Sequence, residues 1–355
     1  MLSETHPPFD RDGFITDCLD GYEELELTSR ARKISQMMEK YLPENFEQAA
    51  EILVASLGPR ISSDELVGQG LDLFVYLPHV FYVAARGLND WETSMWVQHQ
   101  LTQRFSCEYS IRFFLERDAE RTLGRLRQWT SDPSPHVRRL VSEGTRPRLP
   151  WAPRLRDFQK DPAPVLELLE LLKDDPASLV RRSVANNLND IGKDHPRLLV
   201  ETCRRWMVDA SVDRRALIRH ALRTAVKRGE PGALETLGYT SHHQVRIHGV
   251  SWRPEQAVIG SAVEINFTVT NDGDEPGEFN VDLKVHFVKA NGSTTPKVFK
   301  VKQLTLAPGE TAALRKRVSL AQHTTRTHYP GLHAAEVLVN GVTSPGGSFA
   351  ARATT

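Results

Sequence analysis

The sequence predicts a mainly α-helical protein whose last third is a β-sandwich, and two patterns support this prediction. From about residue 22 to residue 230, apolar residues recur at three- and four-residue spacing, which is typical of amphipathic helices. From about residue 244, apolar and polar residues alternate in short runs separated by Asn-Gly and Pro-Gly turns, which is typical of strands. The chain of 355 residues is 40% hydrophobic and 25% charged, as in globular proteins with room for two domains.

Within the helical part, two segments share one pattern at an offset of 43 residues. DPSPHVRRLVSEG (Asp132–Gly144) and DPASLVRRSVANN (Asp175–Asn187) share Asp-Pro, Val-Arg-Arg and a later Val. A third copy from Asp209 keeps Asp, Ser and Arg-Arg with one residue fewer. Each copy follows an amphipathic helix, and we expect its Asp-Pro pair to begin a second helix with Pro at the first position. Helix pairs with a period near 40 residues predict a HEAT-like α-solenoid.

The alternating segments after this array predict six or seven short strands over about 110 residues. This number and spacing favour a C-terminal immunoglobulin-like β-sandwich, here without a cysteine pair. We therefore predict two domains, a repeat domain at 1–240 and a sandwich at 241–355. Within the first domain, residues 1–95 form acidic helices and residues 96–230 form basic repeats.

Charge is distributed unevenly along a chain whose net charge is zero. Residues 1–100 contain 7 Lys or Arg and 17 Asp or Glu, whereas residues 101–230 contain 26 and 18. Of those 26 cations 22 are arginine, whose planar fork of donors matches phosphate oxygens. The basic segment indicates an anionic partner, with nucleic acid as the first candidate. The alternative is a helical array that merely exposes its guanidiniums.

Several classes of protein are not supported by the sequence. The cysteines Cys18, Cys107 and Cys203 are too far apart to predict a disulfide framework or a Cys-x-x-Cys metal site. No run of 18 apolar residues predicts a spanning helix, and the polar start lacks a secretory signal, so we expect a cytoplasmic protein. Neither a Gly-rich phosphate loop, a His-Glu-x-x-His motif nor a nucleophile elbow is present. We expect no cofactor and no metal, and no role for His242 and His243.

The stretch SEGTRPRLPW interrupts the repeat array. Glu143 occupies the position that Asn186 has in the second copy, and the chain then leaves the helix for a Pro-rich segment that ends at Trp151. Glu108 and Asp190 also lie beside Arg-rich helices in neighbouring units. Stacking of the units could bring the three carboxylates together at one point of the concave surface. From its pattern alone, Trp151 is better explained as a core residue.

Each of the three carboxylates could equally have a purely structural role. Glu108 could be a surface residue of an amphipathic helix, and Asp190 could cap a turn. Glu143 could form a structural salt bridge with Arg139 or Arg146.

Three stretches, RLVSEGTRPRLPWAPRL, VRRSVANNLNDIGKDHP and RFSCEYSIRFFL, closely resemble the AlkC type of DNA alkylation-repair glycosylase, a branch of the HEAT-like-repeat DNA glycosylase superfamily. The resemblance is strong over about residues 95–215 and implies that residues 1–240 are a glycosylase domain. It implies a monofunctional enzyme that hydrolyses the N-glycosidic bond of cationic N3-alkylated bases, chiefly 3-methyladenine and 3-methylcytosine, without lyase activity. It also implies that the base is not flipped out of the duplex, unlike most enzymes acting on bases.

The resemblance also implies roles for individual residues. Glu108, Glu143 and Asp190 would surround the sugar of the lesion, Trp151 would pack on the deoxyribose, and Arg139 would hold the carboxylates or the adjoining phosphate. We predict further DNA contacts from a set of polar residues in the same repeats: Arg112, Arg146, Arg148, Arg154, Arg181, Arg182, Asn186 and Asn187. The expected partner is double-stranded DNA with alkylated bases. We expect the protein to be a monomer and not to bind membranes. The alternative is a non-enzymatic HEAT-repeat scaffold or a protein that binds particular DNA structures.

Overall fold

The computed structural model describes residues 1–61, 72–239, 244–322 and 327–353. The chain forms two compact units, one of Met1–Leu199 with Val208–Ala221 and one of Val200–Met207 with Leu222–Thr355. The domain border that we predict near residue 241, and the adjoining His242 and His243, lie outside the described residues. Among the described residues, no helix has the length and apolar character needed to span a membrane.

The described part of the helical region contains sixteen α-helices. They are α1 (Leu2–Thr5), α2 (Arg11–Leu19), α3 (Leu27–Tyr41), α4 (Phe46–Ala55), α5 (Leu77–Arg86), α6 (Trp91–Thr102), α7 (Ile111–Arg117), α8 (Ala119–Trp129), α9 (Pro135–Gly144), α10 (Arg156–Lys160), α11 (Ala163–Leu172), α12 (Ser178–Asp194), α13 (Pro196–Met207), α14 (Val212–Ala221), α15 (Arg223–Lys227) and α16 (Pro231–Thr236). The repeat copies coincide with helices that follow one another in pairs, α8 with α9, α11 with α12 and α13 with α14. The predicted helical-repeat architecture is confirmed.

The Asp-Pro pairs begin a turn rather than a helix, which corrects the predicted helix starts. Asp132 Oδ1 accepts a hydrogen bond from the backbone N–H of Ser134 at 2.8 Å, and α9 starts one residue later, at Pro135. Asp175 Oδ1 likewise accepts from Ala177 N–H at 2.8 Å, and α12 starts at Ser178. An aspartate that accepts from the backbone two residues on forms an Asx turn, which competes with helix at that position.

The first arginine of each repeated pair connects neighbouring units. Arg138 donates to the carbonyl of Asp132 at 2.8 Å and, through Nε and Nη2, to the carboxylate of Asp175 at 2.6 and 3.0 Å. Arg181, at the same position of the next copy, donates to the carbonyl of Asp175 at 2.6 Å and pairs with Asp213 at 3.1 Å. Each of these arginines therefore stabilises the turn of its own repeat and connects it to the next repeat.

Before the first repeat copy the chain forms three helices, α6, α7 and α8. The connection between α6 and α7 contains Ser106, Cys107 and Glu108. Glu108 therefore lies in an irregular segment and not on the face of an amphipathic helix.

The C-terminal strands form two sheets, which confirms the predicted immunoglobulin-like β-sandwich. The strands are β1 (Val245–Arg253), β2 (Gln256–Val258), β3 (Ala262–Asn271), β4 (Gly277–Val288), β5 (Thr294–Leu306), β6 (Thr311–Ser319), β7 (Gly331–Val339) and β8 (Val342–Arg352). The sheet orders are β1-β3-β6 and β2-β8-β7-β4-β5. The alternate residues of β4, Val281, Leu283 and Val285, are fully buried in the core between the sheets.

Eight described strands exceed the six or seven that we predict, because β2 and β8 lack the alternating pattern. Strand β8 contains Pro345, Gly346 and Gly347, residues that are depleted in strands. Its pairing with β7 follows from the turn Asn340-Gly341, in which both residues have positive φ (48° and 79°). Two such residues form the type I′ turn that joins antiparallel strands, and Val339 pairs with Val342.

Candidate active site

At the end of α9 a glycine and three prolines mark the point where the chain leaves the repeat pattern. A Cβ atom on Gly144 would lie 2.5 Å from Cγ2 of Ile111 on α7, so only glycine permits this approach. Pro147, Pro150 and Pro153 follow, and proline cannot continue a helix because it lacks the N–H donor. Residues 145–153 therefore run as turns and irregular backbone beside α7.

Arg146, in this segment, lies between two carboxylates from different repeats. Its Nη1 donates to Oε1 of Glu143 at 2.5 Å, while Nε and Nη2 each lie 2.8 Å from Oδ2 of Asp190. The exposed fractions of the three side chains are 10% for Arg146, 7% for Glu143 and 1% for Asp190. The structural salt bridge that the sequence allowed for Glu143 is present, and it joins both acids through one buried guanidinium.

Two side chains on α12 complete the pairing of these acids. Ser183 Oγ donates to Oε2 of Glu143 at 2.6 Å, and both side chains are buried. Lys193 Nζ donates to Oδ1 of Asp190 at 2.7 Å, and 36% of the lysine side chain is exposed. Each oxygen of Glu143 and Asp190 therefore accepts at least one hydrogen bond, as buried carboxylates require.

The third predicted carboxylate is held by the second arginine of the first repeat. Arg139 Nη2 donates to Oε2 of Glu108 at 3.0 Å, and Nη1 donates to Ser106 Oγ at 3.1 Å. Ser106 Oγ in turn donates to Oε2 of Glu108 at 2.9 Å. With 29% of its side chain exposed, Glu108 is far more open to solvent than Glu143 or Asp190.

Charge around Glu143 favours its ionised form. Burial acts to raise the pKa of Glu143, but the guanidiniums of Arg139 and Arg146 and the hydroxyl of Ser183 outweigh it and hold the pKa below its usual range. Burial likewise opposes the charge of Arg139, whose pKa is nevertheless raised by Glu108 and Glu143. The cluster contains as many carboxylates as cations, namely Glu108, Glu143 and Asp190 with Arg139, Arg146 and Lys193.

Trp151 presents its ring to the same region from an unusual backbone conformation. Its φ is 61°, in the left-handed region that non-glycine residues seldom adopt, and its exposed fraction is 87%. Trp151 therefore does not belong to the core. It lines a cleft of about 320 Å³ together with Glu108 and Arg139.

Two residues predicted to contact DNA are instead buried behind this segment. Arg112 is fully buried and donates to the backbone carbonyls of Gly144, Arg146 and Pro153. Asn187 is fully buried as well, and its Nδ2 donates to the carbonyl of Ser142 at 2.7 Å. Neither side chain can reach a bound duplex from this position, so their predicted DNA contacts have no support here.

Of the remaining predicted DNA contacts, three are engaged in ion pairs: Arg146, which pairs with Glu143 and Asp190 as described above, Arg148 and Arg181. Arg148 Nε donates to Oδ2 of Asp194 at 2.8 Å, and Nη2 donates to Oδ1 of the same carboxylate at 2.5 Å. Arg181 is held by Asp213 and by the backbone carbonyls of Asp175 and Pro176.

The other three lie where a ligand could contact them. Arg154 and Arg182 are exposed. Asn186 is half-buried, and its Oδ1 lies 3.0 Å from Nε2 of His220. Arg182 and His220 line one groove between α12 and α14. The DNA contacts of Arg154, Arg182 and Asn186 stay predictions.

Sequence reasoning missed Ser106, Ser183 and Lys193, which hold the three carboxylates. Lys193 had a usable signal, because it follows Asp190 by three residues on the same helix, a spacing that brings side chains together. The two serines had none, since the contacts of each depend on how separate segments stack. In the described parts of the chain, no group of three or more His, Cys, Asp or Glu side chains is arranged to hold a metal ion.

Similarity to known proteins covers both parts of the chain. Residues 246–353 match the family model described as "Uncharacterised protein YhaZ, C-terminal Ig-like domain". The uncharacterized protein YhaZ of Bacillus subtilis (strain 168) is 35% identical over 342 residues, which cover 96% of this chain and 92% of that protein. The alkylpurine DNA glycosylase AlkC of Pseudomonas fluorescens, solved bound to DNA containing an abasic site analog, is 36% identical, with a TM-score of 0.91 over 99% of this chain and 95% of its own.

The chain belongs to the AlkC family.

The similarity to these AlkC-family relatives spans both the repeats and the sandwich, so it extends well beyond the three motifs that first suggested it. The family prediction is thereby confirmed.

Proposed function

We propose that this protein is a DNA glycosylase that removes cationic N3-alkylated bases, such as 3-methyladenine and 3-methylcytosine, from duplex DNA by hydrolysis. The observation that supports this most is a cluster of carboxylates and arginines that reaches the cleft of Trp151. Glu108 and Arg139 line that cleft, and the charge of Arg139 also acts on buried Glu143, which pairs with Arg146. A chain that only binds phosphates gains nothing from carboxylates here, because each acid repels DNA.

The chemistry of the lesion explains why acids are needed. A base alkylated at N3 already carries a positive charge, so it leaves as a neutral molecule without protonation by a general acid. Positive charge then develops on the sugar as an oxocarbenium-like centre. Ionised Glu143 and Glu108 would stabilise that charge electrostatically, and their arginine partners keep them oriented before the substrate arrives.

We propose that Glu108 positions the attacking water. It is the most exposed of the three carboxylates, and in the described residues its Oε1 accepts no hydrogen bond, since Arg139 and Ser106 both donate to Oε2. Asp190, whose side chain is 1% exposed, would act through the position and charge of Arg146. The ring face of Trp151 would pack on the deoxyribose and attract the developing positive charge.

The function can be tested with purified protein and methylated duplex DNA. We expect release of free 3-methyladenine and 3-methylcytosine above a protein-free control, measured by chromatography, with strands that break only after treatment with hot alkali. Strand breakage without alkali would contradict hydrolysis without lyase activity. Absence of base release would contradict the glycosylase hypothesis and favour the alternative of a DNA-binding scaffold.

Replacing Trp151 with alanine is expected to slow base release about 10- to 100-fold, because an aromatic contact of about 1–3 kcal/mol with the substrate is lost. The unfolding free energy should change by no more than about 0.5 kcal/mol, since the ring is exposed. Trp96→Ala, which removes a second partly exposed indole outside this cleft, serves as the control and should keep the wild-type rate. Equal loss of activity in both variants would contradict the assignment.

Salt should weaken DNA binding strongly if the arginines neutralise phosphates. Neutralisation of six or more phosphates predicts a loss of about 10³–10⁵ in affinity between about 50 and 200 mM salt. Arg182→Ala and Arg154→Ala should each lower the slope of log affinity against log salt by about one. An almost flat dependence, measured by fluorescence anisotropy, would contradict a basic DNA-binding surface.

The proposal includes four further points. The base leaves without being flipped out of the duplex, as the family resemblance implies. The enzyme acts as a monomer, and it acts in the cytoplasm, where it meets chromosomal DNA. No cofactor or metal takes part in the proposed reaction.

A further inference from the structure

We propose that Arg112 is a positioning residue for this reaction: its buried guanidinium closes residues 144–153 into a fixed loop and thereby places Trp151 against the substrate. This inference rests on the proposed function for its kinetic consequences. Its structural consequence, a fixed Trp151 ring, holds for the protein without substrate.

The contacts of Arg112 join the two ends of the loop. Nη1 donates to the carbonyls of Gly144 and Arg146 at 3.0 and 2.7 Å. Nε donates to the carbonyl of Pro153 at 2.8 Å, and Nη2 donates to the same oxygen. Four of the five N–H groups of one guanidinium are therefore used on three carbonyls of the segment that contains Trp151.

The charge of Arg112 suits these acceptors. In the part of the chain that the structure describes, no carboxylate lies within hydrogen-bond distance of this guanidinium. The carbonyl of Gly144 belongs to the last turn of α9, where carbonyls lack helical partners and the helix dipole is negative. Burial lowers the pKa of Arg112 to about 10, so it remains protonated at neutral pH.

The backbone conformation of Trp151 requires that other contacts fix the loop. A tryptophan at φ 61° is held in a sparsely populated conformation, which persists only when the surrounding structure fixes it. The ring itself is 87% exposed and contributes little packing of its own. Arg112 fixes the backbone on both sides, at Arg146 before the ring and at Pro153 after it.

The side chain that could replace Arg112 most closely cannot make the same contacts. Lysine keeps the charge but offers a single nitrogen, which cannot reach the carbonyls of Gly144 and Pro153 in the fixed fork of a guanidinium. Asn187 secures the start of the loop independently, through the carbonyl of Ser142 and the hydroxyl of Thr145. Arg112→Lys should therefore fold and release mainly the half of the loop that contains Trp151.

The test combines kinetics with a probe of the ring. With the protein labelled with 5-fluorotryptophan, the ¹⁹F resonance of Trp151 is assigned by its absence from Trp151→Phe. Arg112→Lys should shift or broaden that resonance and lower the single-turnover rate of base release about 10- to 100-fold, while affinity for undamaged duplex stays within about twofold. Arg104→Lys, which removes another guanidinium bound to carbonyls, is the control and should change neither the resonance nor the rate.

A double-mutant cycle decides whether Arg112 acts through Trp151. In the Trp151→Ala background, Arg112→Lys should slow base release less than threefold. The same slowing in both backgrounds, or an unchanged ¹⁹F resonance in Arg112→Lys, would overturn the proposal. If Arg112→Lys does not fold, Arg112→Gln takes its place in both measurements. Absence of base release by the wild-type protein would refute the proposed function alone, because the ¹⁹F measurement still tests the fixed ring.

Discussion

Glu143→Gln is expected to reduce the single-turnover rate of base release by about 10²–10³-fold, the usual effect of removing one preorganised group that faces developing charge. Glutamine removes the negative charge but keeps the shape of the side chain. Its amide oxygen can still accept from Arg146, and its amide N–H can donate to Ser183 Oγ, so the network need not collapse. DNA binding should be maintained or strengthened, since one acid near the phosphates is removed.

The matched control for Glu143→Gln is Asp175→Asn. Asp175 is also a buried carboxylate that pairs with an arginine of the repeat array. Its partner is Arg138, which connects two turns, whereas Glu143 pairs with Arg146 and is influenced by the charge of Arg139 at the cleft. We expect Asp175→Asn to lose stability and to keep a rate within a few-fold of wild type once folded. Equal base release by wild type and Glu143→Gln would refute the electrostatic mechanism.

Arg146→Met is expected to lower the free energy of unfolding by about 3–5 kcal/mol at pH 8, because two buried carboxylates lose their shared partner. This loss of unfolding free energy relative to the wild type should become smaller towards pH 5, because protonation is linked to folding. In the wild type the pKa of Glu143 is held below its unfolded value, so its contribution is complete above that value and is lost as the pH falls through the folded pKa. Without Arg146, burial opposes the ionisation of Glu143 more effectively, so the folded variant takes up a proton at higher pH.

Urea unfolding at pH 5 and pH 8 measures this difference. Arg148→Met is the control, because Arg148 pairs with Asp194 where both side chains are partly exposed. Its loss should be about 1 kcal/mol or less and nearly the same at both pH values. A deficit of Arg146→Met that does not depend on pH would contradict the role of Arg146 in keeping buried Glu143 ionised.

The repeated spacing of Asp-Pro and Arg-Arg was enough to predict the array of helix pairs, but not the direction of each arginine. Neighbouring residues on an α-helix point about 100° apart. Arg138 therefore turns to Asp175 in the next unit, while Arg139 turns to Glu108 at the cleft. The second arginine of this pair thus faces the cleft while the first connects two repeats, and Arg181 repeats the behaviour of Arg138.

The residues around Arg112 indicate that it is buried, although its charge alone suggests a DNA contact. Its neighbours Ile111, Phe114 and Leu115 are apolar at helical spacing, and all are buried. An arginine within such a stretch lies inside the protein, where it needs several acceptors. Which carbonyls accept its hydrogen bonds could not be predicted, because they come from a loop that begins 32 residues later in the chain.

The close contact between Gly144 and Ile111 limits how this protein can be engineered. Consensus design of repeat proteins stabilises an array by giving every unit the same residues. In this array position 144 of one unit corresponds to Asn187 of the next, so a consensus sequence could introduce asparagine where no Cβ fits. Regularising the repeats would thus displace the loop that sets this unit apart, and thermostable variants should be sought by changes elsewhere in the array.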